Sequence, residues 1–215
     1  MAMKQIHHQT LVNRFQEVDQ QMKKLSINLV EELVGGDKLS FSNIPKDEHA
    51  HFPSDDVMDV ETGSQYFLHR HSSDKIDDSI HVHFFRRWVP VELSLPENKD
   101  IATHLIALEL DISGNPLRWI VVNQWVVGDY WQPAEETTNL FRDWGVKNPE
   151  KGRGDKINPI CHEWLELYMK LNLDTKIKAL LIERDVRLDA LVDLNPDLNV
   201  LEDQSIEIFG CGDVD

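Results

Sequence analysis

The chain has 215 residues and a formal net charge of −16, from 38 acidic against 22 basic side chains, a field that repels phosphate backbones and anionic lipid and so sets aside nucleic-acid and membrane-surface binding. A hydrophobic share of 41% with six Trp excludes wholesale disorder. No apolar run reaches a membrane-spanning length, no signal-peptide pattern opens the chain, and Cys161 and Cys211 form neither a disulfide framework nor a thiolate zinc spacing, so a reducing cytoplasm is the expected compartment.

The length fits a single domain over 1–215. Leu11, Phe15, Val18, Met22, Leu25, Leu29 and Leu33 recur at three- and four-residue steps, which predicts a long amphipathic N-terminal helix over 1–36, ended by Gly35-Gly36. The stripe serves either the chain's own core or, with about three heptads of pattern, a homodimer through this helix. Residues 37–62 lose all periodicity and hold His49-Ala50-His51 and Ser54-Asp55-Asp56. They read as a loop region that runs into the first strand, close enough for its carboxylates to reach a site there.

Residues 63–128 read as an antiparallel sheet core of four strands, near Ser64 to His71, Ile80 to Val89, Thr103 to Asp111 and Leu117 to Val127. The last two are joined by the turn Ile112-Ser113-Gly114-Asn115-Pro116. Residues 129–215 read as mainly helical. One helix starts at Pro133, and a second is capped by Asn158 with Pro159 at its first position and buries Ile160, Trp164, Leu167 and Leu171. A third is capped by Asp174 or Thr175, carries Glu183 and Arg187 as a surface pair, and stops at Asn195-Pro196. Ser205 to Phe209 reads as one more short strand. The fold class expected is α+β, an antiparallel β-sheet or open barrel of at least four strands flanked by an N-terminal helix and a helical C-terminal third.

The chemistry concentrates in His69, His71, His81, His83 and His104. Side chains two apart in a strand share a face, so each His-x-His pair points one way, and a hairpin with His69 opposite His83 and His71 opposite His81 gathers four imidazoles in one patch. Strict alternation puts Gln65, Phe67, His69 and His71 together, and likewise His81, His83, Phe85 and Arg87. It puts His104 with Ile106, Leu108 and Leu110, and Asn123 with Trp119, Val121 and Trp125. Neutral imidazoles with a carboxylate make a first shell for a divalent metal ion, Zn or Fe. Asp74, Asp77 and Asp78 are candidate carboxylates, and Gln65, Arg87 and Asn123 are candidates to orient a small polar ligand. Two alternatives stay open, a buried imidazole hydrogen-bond network and direct acid–base chemistry. His162-Glu163 reads as an exposed helix start, because Glu166 stands where a zinc-protease helix needs its second His. Cys161 reads as a buried thiol.

Two resemblances follow from these motifs. Gly63, five residues and then His69-x-His71 resembles the opening of the first cupin motif, but Lys75 and Ile76 occupy the positions of its Glu. More extensively, Asp56-Val57-Met58-Asp59, Gly63-Ser64-Gln65-Tyr66-Phe67-Leu68-His69-Arg70-His71, His81-Val82-His83-Phe84, His104 to Leu108, Gly114-Asn115-Pro116 and Asn123-Gln124-Trp125-Val126 resemble a bacterial family of unknown function, with Ile80 in place of a Gly and Val127 in place of a Thr. The resemblance implies a bacterial cytosolic protein and transfers no catalytic residue.

Overall fold

The computed structural model describes residues 2–34, 44–45, 50–70, 79–88 and 101–214. The chain opens with α1 (Ala2–Lys24) and α2 (Leu29–Val34), followed by the strands β1 (Phe52–Asp59), β2 (Ser64–His69), β3 (Ser79–Trp88), β4 (Ile101–Asp111) and β5 (Pro116–Val122). Then come α3 (Gln124–Val127), α4 (Ala134–Leu140), α5 (Pro159–Asn172), α6 (Lys178–Leu194) and a last strand, β6 (Ile208–Asp213). The six strands lie side by side in chain order, each antiparallel to the next, so the α+β class holds and the sheet is open.

The N-terminal stripe does not run through one helix. Ser26 takes a left-handed φ of 53°, which closes α1 and lets α2 start three residues later. Val18 and Met22 are buried, and Phe15 leans on Trp164 and Tyr168 of α5 with ring centroids 5.4 and 5.6 Å away. Tyr168 in turn stacks on Trp119 of β5 at 5.6 Å, so an aromatic column joins sheet, α5 and α1. Part of the α1 stripe thus packs on α5 of its own chain, while Leu25 is exposed.

One face of the sheet packs under the helices. Tyr66, Leu68, Ile80, Val82, Phe84 and Leu108 point there, all with 0% exposure. Burial of this face fixes the strand pairing, because Tyr66 sits opposite Phe84 and Leu68 opposite Val82, and a one-residue slip would turn both sets outward. At the entrance to β2, Gly63 has φ 68°, and a Cβ there would come within 2.4 Å of the Arg87 carbonyl oxygen. Glycine is what allows the β1–β2 turn to close against β3.

Several expectations shift. The 37–62 loop region contains β1, an edge strand whose Pro53, Asp55 and Asp56 and a break in pairing between Phe52 and Val57 hide its period. The strand predicted to end at Val127 ends at Val122. Asn123 then caps α3, accepting the Gln124 N–H at 2.8 Å, and Gly128 closes that helix in the left-handed region. Asn158 caps α5 as expected, accepting the Ile160 N–H at 3.2 Å. No new helix begins at Asp174, since Leu173–Ile177 is a π-helical turn that carries α5 straight into α6. Arg187 donates to the Phe209 carbonyl at 2.7 Å, tying α6 to β6. Among the described residues no helix is long and apolar enough to cross a membrane.

Candidate metal centre

The second face of the sheet carries the histidines. In the observed register His69 lies opposite His81, and Phe67 opposite His83. The expected pairing of His69 with His83 is therefore two residues out, a slip that keeps every side chain on its face. The core pairs Tyr66–Phe84 and Leu68–Val82 decide this register, whereas the expectation rested on the polar face alone. His71, Asp74, Asp77 and Asp78 lie outside the described residues.

His104 reaches this face by a bulge. Phe84 pairs with Ile106 and Phe85 with His104, leaving Leu105 extra in β4. Leu105 and Ile106 both enter the helix-side core, and from His104 toward the strand start the alternation is inverted. The grouping of His104 with Ile106, Leu108 and Leu110 is thus corrected, because an extra residue changes which face each later position serves.

The rings make a connected set. His83 Nε2 lies 2.8 Å from His69 Nε2, and His83 Nδ1 lies 3.1 Å from His104 Nε2. One ring nitrogen from each of His69, His81 and His83 falls within 4.8 Å of the others, and all three residues are buried. Phe67 stacks on His83 at 5.1 Å, and Phe85 lies 4.9 Å from His104. Burial and the nearby Arg184 guanidinium push His104 down to about 3, only partly offset by its hydrogen bond to the Ile106 backbone. It is neutral at any ordinary pH.

Glu109 is the acid of this face, and the sequence reading missed it. It is fully buried beside His81, with His81 Nε2 3.7 Å from its Oε1. Ser79 Oγ donates to Oε1 at 2.7 Å and Arg118 Nε donates to Oε2. Against the upward push of burial, His81, Ser79 and Arg118 draw its pKa down to about 2, so Glu109 is a fixed negative charge beside the imidazoles. Its only sequence signal is an acid inside the apolar run Leu105 to Leu110.

The other candidates are already engaged. Arg87 Nε donates to Gln65 Oε1 at 2.6 Å, and Gln65 Nε2 donates to Asp56 Oδ2 at 2.5 Å. Asp56 Oδ1 meets His51 Nδ1 at 2.8 Å, and His51 stacks on Phe67 with centroids 3.7 Å apart. A carboxylate from the segment before β2 does reach the edge of the cluster. Asn123 is not brought to the imidazoles by any hydrogen bond: its amide donates to the Val200 and Ile206 carbonyls at 2.9 and 3.0 Å. Behind His104, Asp129 Oδ2 accepts the His104 N–H at 2.7 Å, and Oδ1 finds no hydrogen-bond partner among the described residues. Burial raises Asp129 to about 6 despite the His104 N–H and Arg184.

On the helix side, His162 is buried rather than exposed. Its Nδ1 lies 3.0 Å from Tyr66 Oη and its Nε2 3.3 Å from the Gly154 carbonyl, so the start of α5 is pegged to β2 and to the preceding loop. Cys161 beside it is buried, which, with the charge of Glu32, pushes its thiol up to about 12 and keeps it protonated.

Fold and site together define an α+β protein whose open antiparallel sheet is sealed by helices on one face and carries a buried, acid-supported histidine cluster on the other. The chain belongs to the family described as a domain of unknown function, DUF6969, which matches residues 9–214. No curated protein and no solved structure matches it.

Proposed function

We propose that His69, His81 and His83 hold a divalent transition-metal ion, zinc or iron, and that the protein uses it in chemistry on a small polar substrate. The observation that carries this reading is the convergence of three buried ring nitrogens within 4.8 Å, the ligand type and number of a catalytic three-histidine site. Such an ion, when bound, supplies Lewis acidity toward water or dioxygen. Glu109 contributes a compensating negative charge beside His81, and Ser79 and Arg118 hold that carboxylate in place. The half-buried Arg87 at the end of the same face is the group we assign to a small polar ligand, with Gln65 aligning its guanidinium. The two unbridged cysteines support a reducing compartment such as the cytoplasm.

Elemental analysis of natively purified protein, before and after reconstitution with Zn(II) or anaerobic Fe(II), tests the reading. About one ion per chain is expected, falling to background in a His69→Ala/His83→Ala double variant that keeps its circular dichroism. Wild-type protein that holds no stoichiometric metal under any of these conditions would falsify the proposal. A second reading is favoured by the direct ring-to-ring contacts of 2.8 and 3.1 Å: a non-enzymatic binding protein whose imidazoles form a hydrogen-bond network. That reading requires metal-free protein to melt at the same temperature with and without added zinc or iron.

A further inference from the structure

A separate recess of about 370 Å³ opens where β3 ends, lined by Trp88, Gln132, Glu136, Asn139 and Leu140, a volume within the range of small-molecule sites. Trp88 continues the helix-side alternation of Phe84, so the recess lies across the sheet from Arg87 and the imidazoles. Its walls are fixed from behind. The Trp88 indole N–H donates to Thr103 Oγ1 at 2.9 Å, and that hydroxyl donates on to the Tyr130 carbonyl at 2.9 Å. The Tyr130 ring meets the indole edge-on at 5.8 Å. The Gln132 carbonyl accepts from the Thr137 hydroxyl at 2.9 Å and from the buried Arg184 guanidinium at 2.7 Å. Glu136, Asn139 and Leu140 follow one another at i, i+3 and i+4 in α4, so they share one side of that helix. Its first N–H, that of Ala134, is anchored to Asp185 Oδ2 at 2.7 Å.

The polar groups of the recess are uncommitted. The side chains of Gln132 and Glu136 make no hydrogen bond among the described residues, and Asn139 uses only its Oδ1, which accepts from Arg142 Nε at 3.1 Å. Two amide NH2 groups that donate therefore stand with an amide oxygen and a carboxylate that accept, beside an indole and an aliphatic side chain. An ammonium ion would satisfy the acceptors but oppose the NH2 groups, and a phosphate or carboxylate would be repelled by Glu136. A hydroxyl both donates and accepts, so it matches the whole set. We propose that this recess binds a neutral sugar, with the C–H face of a pyranose ring packed on the Trp88 indole and its hydroxyls bonded to Gln132, Glu136 and Asn139. The site does not rest on the metal reading and uses none of its residues.

Titration of uniformly ¹⁵N-labelled full-length protein with the methyl pyranosides of glucose, galactose, mannose and N-acetylglucosamine tests the proposal. The Trp88 indole signal and the Gln132 and Asn139 side-chain amide signals are followed, assigned from Trp88→Phe, Gln132→Ala and Asn139→Ala proteins. At least one sugar is expected to shift them saturably, with a dissociation constant of roughly 1–10 mM. Glu136→Ala, at an exposed helix position that the fold does not depend on, should weaken that sugar about 10-fold, the effect of losing hydrogen bonds to a charged group. Trp88→Ala should abolish saturation. Absence of a saturable shift for every one of these sugars up to about 0.1 M overturns the proposal, as does a Glu136→Ala protein of unchanged sugar affinity. Shifts produced by tetramethylammonium or inorganic phosphate and by no sugar overturn it as well, and make the recess an ion site instead.

Discussion

Replacing Trp144 by alanine is expected to cost about 3–5 kcal/mol of stability, the range for truncating a large aromatic in a packed core. The residue follows α4, is 0% exposed, and meets the ring of Phe84 edge-on at 5.1 Å and that of Tyr66 at 6.4 Å. Its Nε1–H also donates to the Phe85 carbonyl at 2.9 Å, so the substitution both empties a cavity and strands an acceptor in β3. Against a total stability of about 5–15 kcal/mol for an ordinary domain, that loss is large. Trp144→Phe keeps most of the volume and should recover more than half of it. Urea unfolding followed by tryptophan fluorescence and far-UV circular dichroism reads both variants, and a loss under about 1 kcal/mol for the alanine form would contradict the packing described. The tether also matters to the site, since Phe85 places its ring beside His104.

Asp59→Asn is expected to destabilise by about 3 kcal/mol, from two backbone donors that lose a charged acceptor. The Asp59 carboxylate is fully buried. Oδ1 accepts the N–H groups of Glu61 and Thr62 at 3.0 and 3.1 Å, and Oδ2 accepts those of Lys147 and Asn148 at 2.8 and 2.9 Å. Burial pushes its pKa up, but these four donors prevail and hold it below the usual value. A carboxyl whose folded pKa is depressed stabilises the fold above its unfolded pKa and loses that contribution as pH falls through the folded one. The stability gap between wild type and Asp59→Asn should therefore be full near neutrality and narrow below about pH 4. A gap that stays constant from about pH 7 to about pH 3 would remove the carboxylate's charge from the explanation.

The sequence shows the sheet best where one of its faces is apolar. In β2 and β3, Tyr66, Leu68, Ile80, Val82 and Phe84 alternate with Gln65, Phe67, His69, His81 and His83, and that period of two, clearest in β3, marks the face that holds His69, His81 and His83. It does not mark the register, which depends on how core side chains meet across strands. β1 stays hidden because an edge strand with Pro53 and two acids has no apolar period. Asn123 to Gly128 reads as strand through Trp125, Val126 and Val127, yet the cap residues at its two ends turn it into a helix. Thr175 resembles a helix start, but its hydroxyl donates back to the Asn172 carbonyl at 3.2 Å and the helix continues. Glu109 is the hardest to foresee, since Ser79 and Arg118, which hold it, come from two different strands.

The unpaired Leu105 gives β4 two reading frames. Residues from Ile106 onward address the two faces in one phase, and those up to His104 in the other. The extra residue is therefore not what places His104; it adds a second side chain beside Ile106 to the helix-side core. Exchanging Leu105 for another aliphatic keeps that side chain, whereas deleting it would leave His104 next to Ile106 in regular alternation, still opposite Phe85 and on the face of His83, at the cost of a buried leucine. A deletion that spares the His83–His104 contact while costing core stability would be the genetic mark of that bulge.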